Sequence, residues 1–417
     1  MIDIDPSEQA ACIENPLLEK AGIKEWQLLF LLAAMQFTQI LDFVIMMPLG
    51  PTFLRVFKIL PSQFGLLVSA YTFAAAIFGF VSASYMDRFD RKKSLLFLYF
   101  GFIVGTLFCA LAPNHFLFLI ARSVAGAFAG ILLGAIFAIV GDKIPEHRRG
   151  RATGIIMSSF ALAAVVGVPF GLFLANRFSW RAPFIFLAGI CTLIFTLGTL
   201  WLPNISEHLI KRTKRKSPLA EVFGLISEEN HWKAFALTFS MMLAQFFLVP
   251  YIATYMVLNV GIPEKELFYI YLVGGSFTFF GSQITGKLAD RFGKKKIFQI
   301  AALISLIPVY LITHIGRVGL PLAIATTTFF MITNSARFVP AMAMITGSVK
   351  PQRRGGFMSI NASLQQLAAG IASLAAGLIL VQNSNDKTLM HFGEVGFLAM
   401  AIILVSIYVG AKLKTVA

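Results

Sequence analysis

The chain has 417 residues, 57% of them hydrophobic, 42 of them phenylalanine and only 13% charged, with a net charge of +15 and a mean hydropathy of +0.78. That is too little polar surface for a soluble globule of this length. Nor does the positive charge read as a nucleic-acid footprint, because the basic residues sit in short loops between apolar blocks, where membrane topology accounts for them.

Residues 1–24 carry Asp3, Asp5, Glu8, Glu14 and Glu19. They lack the basic start, apolar core and small-residue cleavage site of a signal peptide, so they read as a cytoplasmic tail. Apolar blocks of the length that crosses ~30 Å of hydrocarbon follow. They lie at about 26–48, 62–85, 94–112, 116–141, 152–176 and 182–202, then 232–258, 265–288, 297–316, 320–346, 357–381 and 393–411. The pattern predicts an all-α membrane protein with 12 transmembrane helices in two six-helix halves, 25–203 and 232–417, joined by a basic cytoplasmic linker at 204–231. With a cytoplasmic N-terminus, 26 of the 35 Lys and Arg fall on the inner side, seven on the outer side and two inside spans. The positive-inside rule therefore puts both termini in the cytoplasm, beneath a cell (inner) membrane.

Span one places Gln36, Gln39 and Asp42 at three-residue steps. Each step drifts about 60° around a helix, so the three share an arc of about 120° that can face a cavity. Asp42 is the one acid well inside a span, and an isolated carboxylate in hydrocarbon costs several kcal/mol unless paired, hydrated or protonated. Span four carries Arg122, then Gly126, Gly130 and Gly134; span five carries Ala163, Gly167 and Gly171 at the same four-residue spacing. Both stripes allow close helix approach. Pro169 removes a backbone donor in span five and frees the Val165 carbonyl, which predicts a bend able to act as a gate. On span seven, Phe246, Phe247, Tyr251 and Tyr255 are candidates for an apolar cavity wall, or else plain lipid-facing and packing residues. Span ten places Asn334 and Arg337 ahead of Pro340, and span eleven places Asn361 and Gln365 one turn apart. This polar set draws on both halves, and carriers of such design bind substrate between their halves.

Two stretches repeat. ASYMDRFDRKK at 83–93 and GKLADRFGKKK at 286–296 lie 203 residues apart, and PEHRRG at 145–150 matches PQRRG at 351–355. Two matches at nearly one offset indicate duplication. GKLADRFGKKK is a full match to the loop signature of the major facilitator superfamily, and the chain resembles that family over its whole length. RSVAG at 122–126, GVPFG at 167–171 and WRAPF at 180–184 are similar to the twelve-span drug:proton antiporter branch. The departures are local. The family's two glycines in the first loop are Ala83 and Asp90, Val168 separates Gly167 from Pro169, and Ala125 stands where the family often has glutamine. At Asp90 a glycine would permit a tight turn that aspartate tolerates less well.

The resemblance implies that the loop charges form a cytoplasmic latch holding an outward-open state. Asp87 and Asp290 would face helix N-termini of the opposite half, while Arg88, Arg91, Arg291 and Lys294 pair with acids such as Asp142 and Glu146. The alternative is that these charges only set topology. Asp42 also has two readings. Burial favours a neutral carboxyl and a nearby arginine an ionised one, so an Asp42 that meets Arg122 or Arg337 in one conformation only would take up a proton in the other. A permanent ion pair that fixes helix packing is the alternative.

No phosphate loop, zinc-protease motif or nucleophile elbow is present, the histidines are scattered singly, and Cys12, Cys109 and Cys191 are far apart. No enzyme activity, cofactor or metal is therefore expected, and transport energy must come from gradients. The expected function is a secondary transporter that moves a small organic compound by alternating access, with proton-coupled efflux leading. A proton-coupled importer of a polar nutrient and a non-transporting sensor or assembly partner of the same fold are the alternatives. The expected partners are a small-molecule substrate, protons and the lipid bilayer, with no nucleic acid, and a two-half chain suffices as a monomer. If the loops form a latch, the intact second copy should matter more. Asp290→Asn is expected to shift the balance between inward- and outward-open states further than Asp87→Asn, read as the access of an impermeant thiol reagent to a single cysteine in the cavity; equal shifts would count against the latch.

Overall fold

The computed structural model describes residues 24–82, 89–202, 228–350 and 353–414. The tail up to residue 23, linker residues 203–227, Asp87, Arg88 and the side chain of Glu146 lie outside the described residues.

In hydrocarbon an unpaired backbone N–H or C=O costs several kcal/mol, and a helix satisfies these groups within one segment. The apolar blocks accordingly form α1 (Glu25–Val44), α3 (Pro61–Ser82), α4 (Arg91–Leu111), α5 (His115–Lys143), α6 (Glu146–Leu162) continuing into α7 (Val168–Arg177), and α8 (Ala182–Trp201). The second half repeats the set as α9 (Glu229–Tyr255), α10 (Leu267–Phe292), α11 (Lys294–His314), α12 (Leu320–Gly347), α13 (Arg354–Ile379) and α14 (Phe392–Lys412). Eleven spans among the described residues are long and apolar enough to cross a membrane. The twelfth, α12, has the length at 28 residues, but Thr326, Thr327, Thr328, Thr333, Asn334 and Arg337 dilute its apolar content. The result is the all-α, multi-pass, twelve-helix architecture that the sequence predicts.

Three features depart from the sequence reading. A short α2 (Gly50–Phe57) follows α1, opened by Pro51 in its first turn, where a proline loses no helical hydrogen bond. Span five does not simply bend at Pro169. Its Ala163–Gly167 segment is a π-helical turn, closed by the Val168 N–H donating to the Ala163 carbonyl. The wider turn takes up the irregularity and ends two residues ahead of the proline. Asp90 needs no glycine-like backbone: at φ −57° it caps α4, its carboxylate accepting from the Lys93 N–H at 2.9 Å. Its counterpart Gly293 sits at φ +94° between α10 and α11, a conformation that side chains disfavour. The two copies of the loop thus turn by different means.

Within the first half α3 packs on α5, α5 on α4, α4 on α8, and α1 on α6 and α8; in the second half α9 packs on α13 and α14, α11 on α12 and α14, and α10 on α12. The halves meet along α3 and α13, and where α10 crosses α7 and the π-turn. Glycines let backbones touch at both seams. A Cβ on Gly65 of α3 would lie 2.6 Å from the Ser373 carbonyl of α13, and one on Gly275 of α10 would lie 2.8 Å from the Ala164 carbonyl in the π-turn.

At the end of the bundle away from the two loop signatures the halves are clasped. The Tyr251 hydroxyl of α9 donates to Ser373 O at 2.8 Å and reaches Pro61 O at 3.3 Å. Arg55 forks onto Glu264 at 2.6 and 3.1 Å, and Thr52 donates to the same carboxylate at 3.0 Å. Arg55 is 66% exposed, so its pair contributes little more than ~1 kcal/mol; the buried Tyr251 crosses between the halves only by its longer contact to Pro61 O, its 2.8 Å bond to Ser373 staying within the second half. At the signature end Asp290 is exposed, and a Cβ on Gly141, Gly150, Gly154 or Gly286 would meet nothing within 4 Å.

The small-residue stripe of span four is used only in part. A Cβ on Gly126 or Gly130 would lie 2.2 Å from the Tyr71 or Ala75 carbonyl of α3, whereas Gly134 faces open space. Backbone atoms cannot swing aside as a side chain can. Gly126→Leu and Gly130→Leu are therefore expected to destabilise the purified protein by more than about 2 kcal/mol, seen as a lowered Tm, and Gly134→Ala by less than about 0.5 kcal/mol.

Candidate functional site

α1 turns Gln36, Gln39 and Asp42 into the interior, exposed by 4%, 6% and 0%. The Gln39 amide donates to the Ala129 carbonyl of α5 at 2.7 Å, and its Oε1, like that of Gln36, has no partner. Asp42 is the centre of the arrangement. Its Oδ2 accepts from Nη1 of Arg122 at 2.7 Å, and neither side chain exposes any surface. Its Oδ1 accepts from the Thr106 hydroxyl of α4 at 3.2 Å, and the same Nη1 reaches the Asp42 carbonyl at 3.4 Å. That carbonyl lies in the last turn of α1, where the helix leaves acceptors unused. The Arg122 guanidinium also lies over the Tyr71 ring, 4.3 Å from its centroid, a favourable cation–π contact once desolvated. Tyr71 stacks on Phe43 at 5.2 Å, and Phe43 meets Phe246 of α9 at 5.8 Å, so an aromatic row leads from the ion pair into the second half. Nε and Nη2 of Arg122 have no hydrogen-bond partner.

The second half holds a separate group. Arg337 is 3% exposed, and its Nη2 donates to Asn334 Oδ1 at 2.7 Å while Nε and Nη1 have no partner. Asn361, fully buried, accepts from the Thr238 hydroxyl of α9 at 2.6 Å, leaving its Nδ2 without a partner. Gln365 is half-buried one turn along α13. The interior polar residues therefore form separate groups, Asp42 with Arg122 and Thr106, Arg337 with Asn334, and Asn361 with Thr238. Of the two arginines open to Asp42, Arg122 meets it and Arg337 does not.

Around the loops, Arg91 Nε donates to Asp142 Oδ2 at 2.9 Å, within the first half. Asp290, Lys294, Lys295 and Lys296 line an open cavity of about 670 Å³ with Met344 and Leu413. Arg291 lies over the ring of Phe292. Gly167 and Gly171 receive Leu41 and Ile45 from α1, and Pro169 lies in the first turn of α7. Span seven puts its tyrosines to packing: Tyr251 joins the clasp and Tyr255 stacks on Phe392 at 4.6 Å. Thr106 and Tyr71, both in contact with the ion pair, have no distinguishing signal in the sequence, since a lone Thr or Tyr in a span is usually a packing residue.

The sequence profile of the Major Facilitator Superfamily matches residues 32–283 and 234–414. The "Uncharacterized MFS-type transporter YwfA" of Bacillus subtilis (strain 168) is 30% identical over 265 residues, 62% of this chain and 63% of that relative. "Multidrug resistance protein 2" of the same organism is 22% identical over 374 residues, 87% of this chain and 92% of that protein. Among solved structures, that of a D-xylose-proton symporter superposes with a TM-score of 0.75 at 16% identity, covering 94% of this chain and 99% of that one, a likeness of fold.

Removing one member of a fully buried ion pair strands the other charge, typically at about 3–5 kcal/mol, whereas replacing both with apolar groups is often neutral. Arg122→Met is expected to lower stability by about that amount, and Asp42→Leu combined with Arg122→Met to regain most of it. Chemical denaturation of the purified protein distinguishes the cases; a single variant that unfolds like wild type would show that the pair is not desolvated.

Proposed function

This chain belongs to the Major Facilitator Superfamily, and we propose that within it the protein is a secondary transporter that expels a small organic compound across the cell (inner) membrane in exchange for protons. The observation that carries the proposal is the Asp42–Arg122 pair, fully buried and 2.7 Å apart. Asp42 is the only buried carboxylate among the described residues. An ionised carboxylate there needs its guanidinium; a protonated one loses most of that attraction. Ion pairing and proton occupancy thus exclude one another, which is the requirement for coupling a proton to a change of shape. Arg122, once released, keeps its place over Tyr71, and the Tyr71–Phe43–Phe246 row gives the event a physical contact with α9 of the other half.

The contacts of Tyr251 with Pro61 and of Glu264 with Arg55 across the halves, with the exposed Asp290 at the other end, fit a state open to the side that carries the loop signatures. The bias of 26 of 35 basic residues to that side supports calling it cytoplasmic, with both termini there. In this state the latch charges would be disengaged, as their role of holding the outward-open state requires. The substrate would enter between the halves from the cytoplasm, contacting Gln36 and Gln39 on one side and Arg337, Asn361 and Gln365 on the other. Export rather than uptake is supported by the name of the multidrug-resistance relative and by the span-four and span-five motifs. One two-half chain is the transport unit, so a monomer suffices.

Purified protein in liposomes with an imposed pH gradient tests the coupling. Asp42→Asn, which keeps the shape of the side chain and cannot ionise, is expected to reduce pH-driven transport at least about tenfold, equivalent to ~1.4 kcal/mol. Wild-type, still pH-driven transport by this variant would place the proton site elsewhere.

A further inference from the structure

Buried charge in the second half is not balanced, and from this we infer that the substrate is an organic oxyanion, held by Arg337 with Asn334. The inference rests on the transporter reading and adds the chemical class of what is carried.

Arg337 lies about 15 Å along α12 from its signature end, by a rise of ~1.5 Å per residue. Its only hydrogen bond is to a neutral amide, Asn334 Oδ1 at 2.7 Å, while Nε and Nη1 have none. The one buried carboxylate among the described residues, Asp42, is already matched by Arg122. An unpaired guanidinium is costly inside a membrane protein, and a purely structural position is better served by an acid partner or by an apolar side chain of similar size. Arginine stays protonated at any physiological pH, so Arg337 is not a proton site. A group that arrives and leaves with the transport cycle accounts for both the charge and the open donors.

The other unpartnered amide among the described interior residues of the second half favours an acceptor-rich ligand. Asn361 has its Oδ1 occupied by Thr238, so it offers its Nδ2 as a donor. Asn334 orients the guanidinium without neutralising it, the condition for a planar fork to take a carboxylate, sulfonate or phosphate group. A cationic substrate beside it would instead meet like-charge repulsion in a low-dielectric interior. Across the interface, Oε1 of Gln36 and of Gln39 are unpartnered acceptors. They suit hydroxyl or amine groups on the remainder of such a molecule.

Benzoate, nicotinate and hexanoate, each beside its primary amide, with benzylamine and hexylamine as cations, form a set in which shape is nearly constant and charge varies. Binding to the purified full-length protein is read as a rise in Tm, and transport as proton flux in liposomes containing a pH dye. The carboxylates are expected to bind and to drive flux, and the amides and amines to do neither. Arg337→Gln should weaken carboxylate binding at least tenfold, with Arg337→Lys intermediate because it keeps the charge and loses the fork. Carboxylates that bind no better than their amides, or an Arg337→Gln protein with wild-type carboxylate affinity, would overturn the inference. If Arg337→Gln does not fold, Arg337→Lys and the carboxylate-to-amide comparison on wild type decide. Flux driven by amides or amines but not by carboxylates sinks the oxyanion and leaves the transporter standing; no binding and no flux with any compound removes both.

Discussion

Asp42 and Arg122 face each other at 2.7 Å with no exposed surface, and the first half is arranged so that this is tolerable. Two charges taken out of water repay their desolvation only when the geometry is good and the remaining capacity is met, which here is partly so, since Nε and Nη2 of Arg122 have no hydrogen-bond partner. Thr106 from α4 serves the second carboxylate oxygen, the end of α1 offers a carbonyl, and Tyr71 from α3 offers a ring face. Four helices thus converge on one pair, and each is held at the distance the pair requires. Gly126 makes that distance possible, since its missing side chain lets α5 rest directly on the α3 backbone at Tyr71. The polar centre and the small-residue packing are one construction.

Much of this architecture was legible in the sequence, because hydrocarbon imposes a length and a composition on every span. The twelve helices follow, as do the duplication and the depth of Asp42 and Arg337. Which arginine meets the aspartate was not legible: Asp42 and Arg122 are 80 residues apart, and their encounter depends on the rotation of two helices about their axes, which apolar composition leaves undetermined. Thr106 and Tyr71 were invisible for the same reason. The α2 helix is too short at eight residues for periodicity to mark it. Gly134 shows the limit of small-residue spacing, since the stripe continues in sequence after the neighbouring helix has diverged.

The two halves have divided the work that duplication once gave to both. The first half carries a buried carboxylate matched by Arg122; the second carries a permanent cation with open donors and, among the described residues, no buried acid to match it. The loops have diverged in parallel. Gly293 keeps a backbone at φ +94° as the single residue between α10 and α11, while Asp90 uses its carboxylate to cap α4. The first loop has thus exchanged a glycine turn for a capped helix start. The Arg91–Asp142 bond ties that loop to its own half.

If Asp42 is the proton site and Arg337 the anion site, as proposed, a simple rule for coupling follows. With Asp42 paired and Arg337 unpaired, the interior carries one excess positive charge, and so does the interior with a proton on Asp42 and Arg337 still empty only if Arg122 surrenders its own charge, which a guanidinium does not do. Protonating the pair therefore adds a second positive charge, and binding an oxyanion at Arg337 removes one. The two events differ in sign within one low-dielectric interior. A bound anion at Arg337 would make protonation of Asp42 easier, and the loss of the proton would make the anion's departure easier, without any contact between the ligands. Such coupling is reciprocal by necessity. In this arithmetic proton and anion favour the same loaded state, so exchange requires that some other feature, such as the Tyr251 clasp, forbid the doubly loaded carrier from turning over.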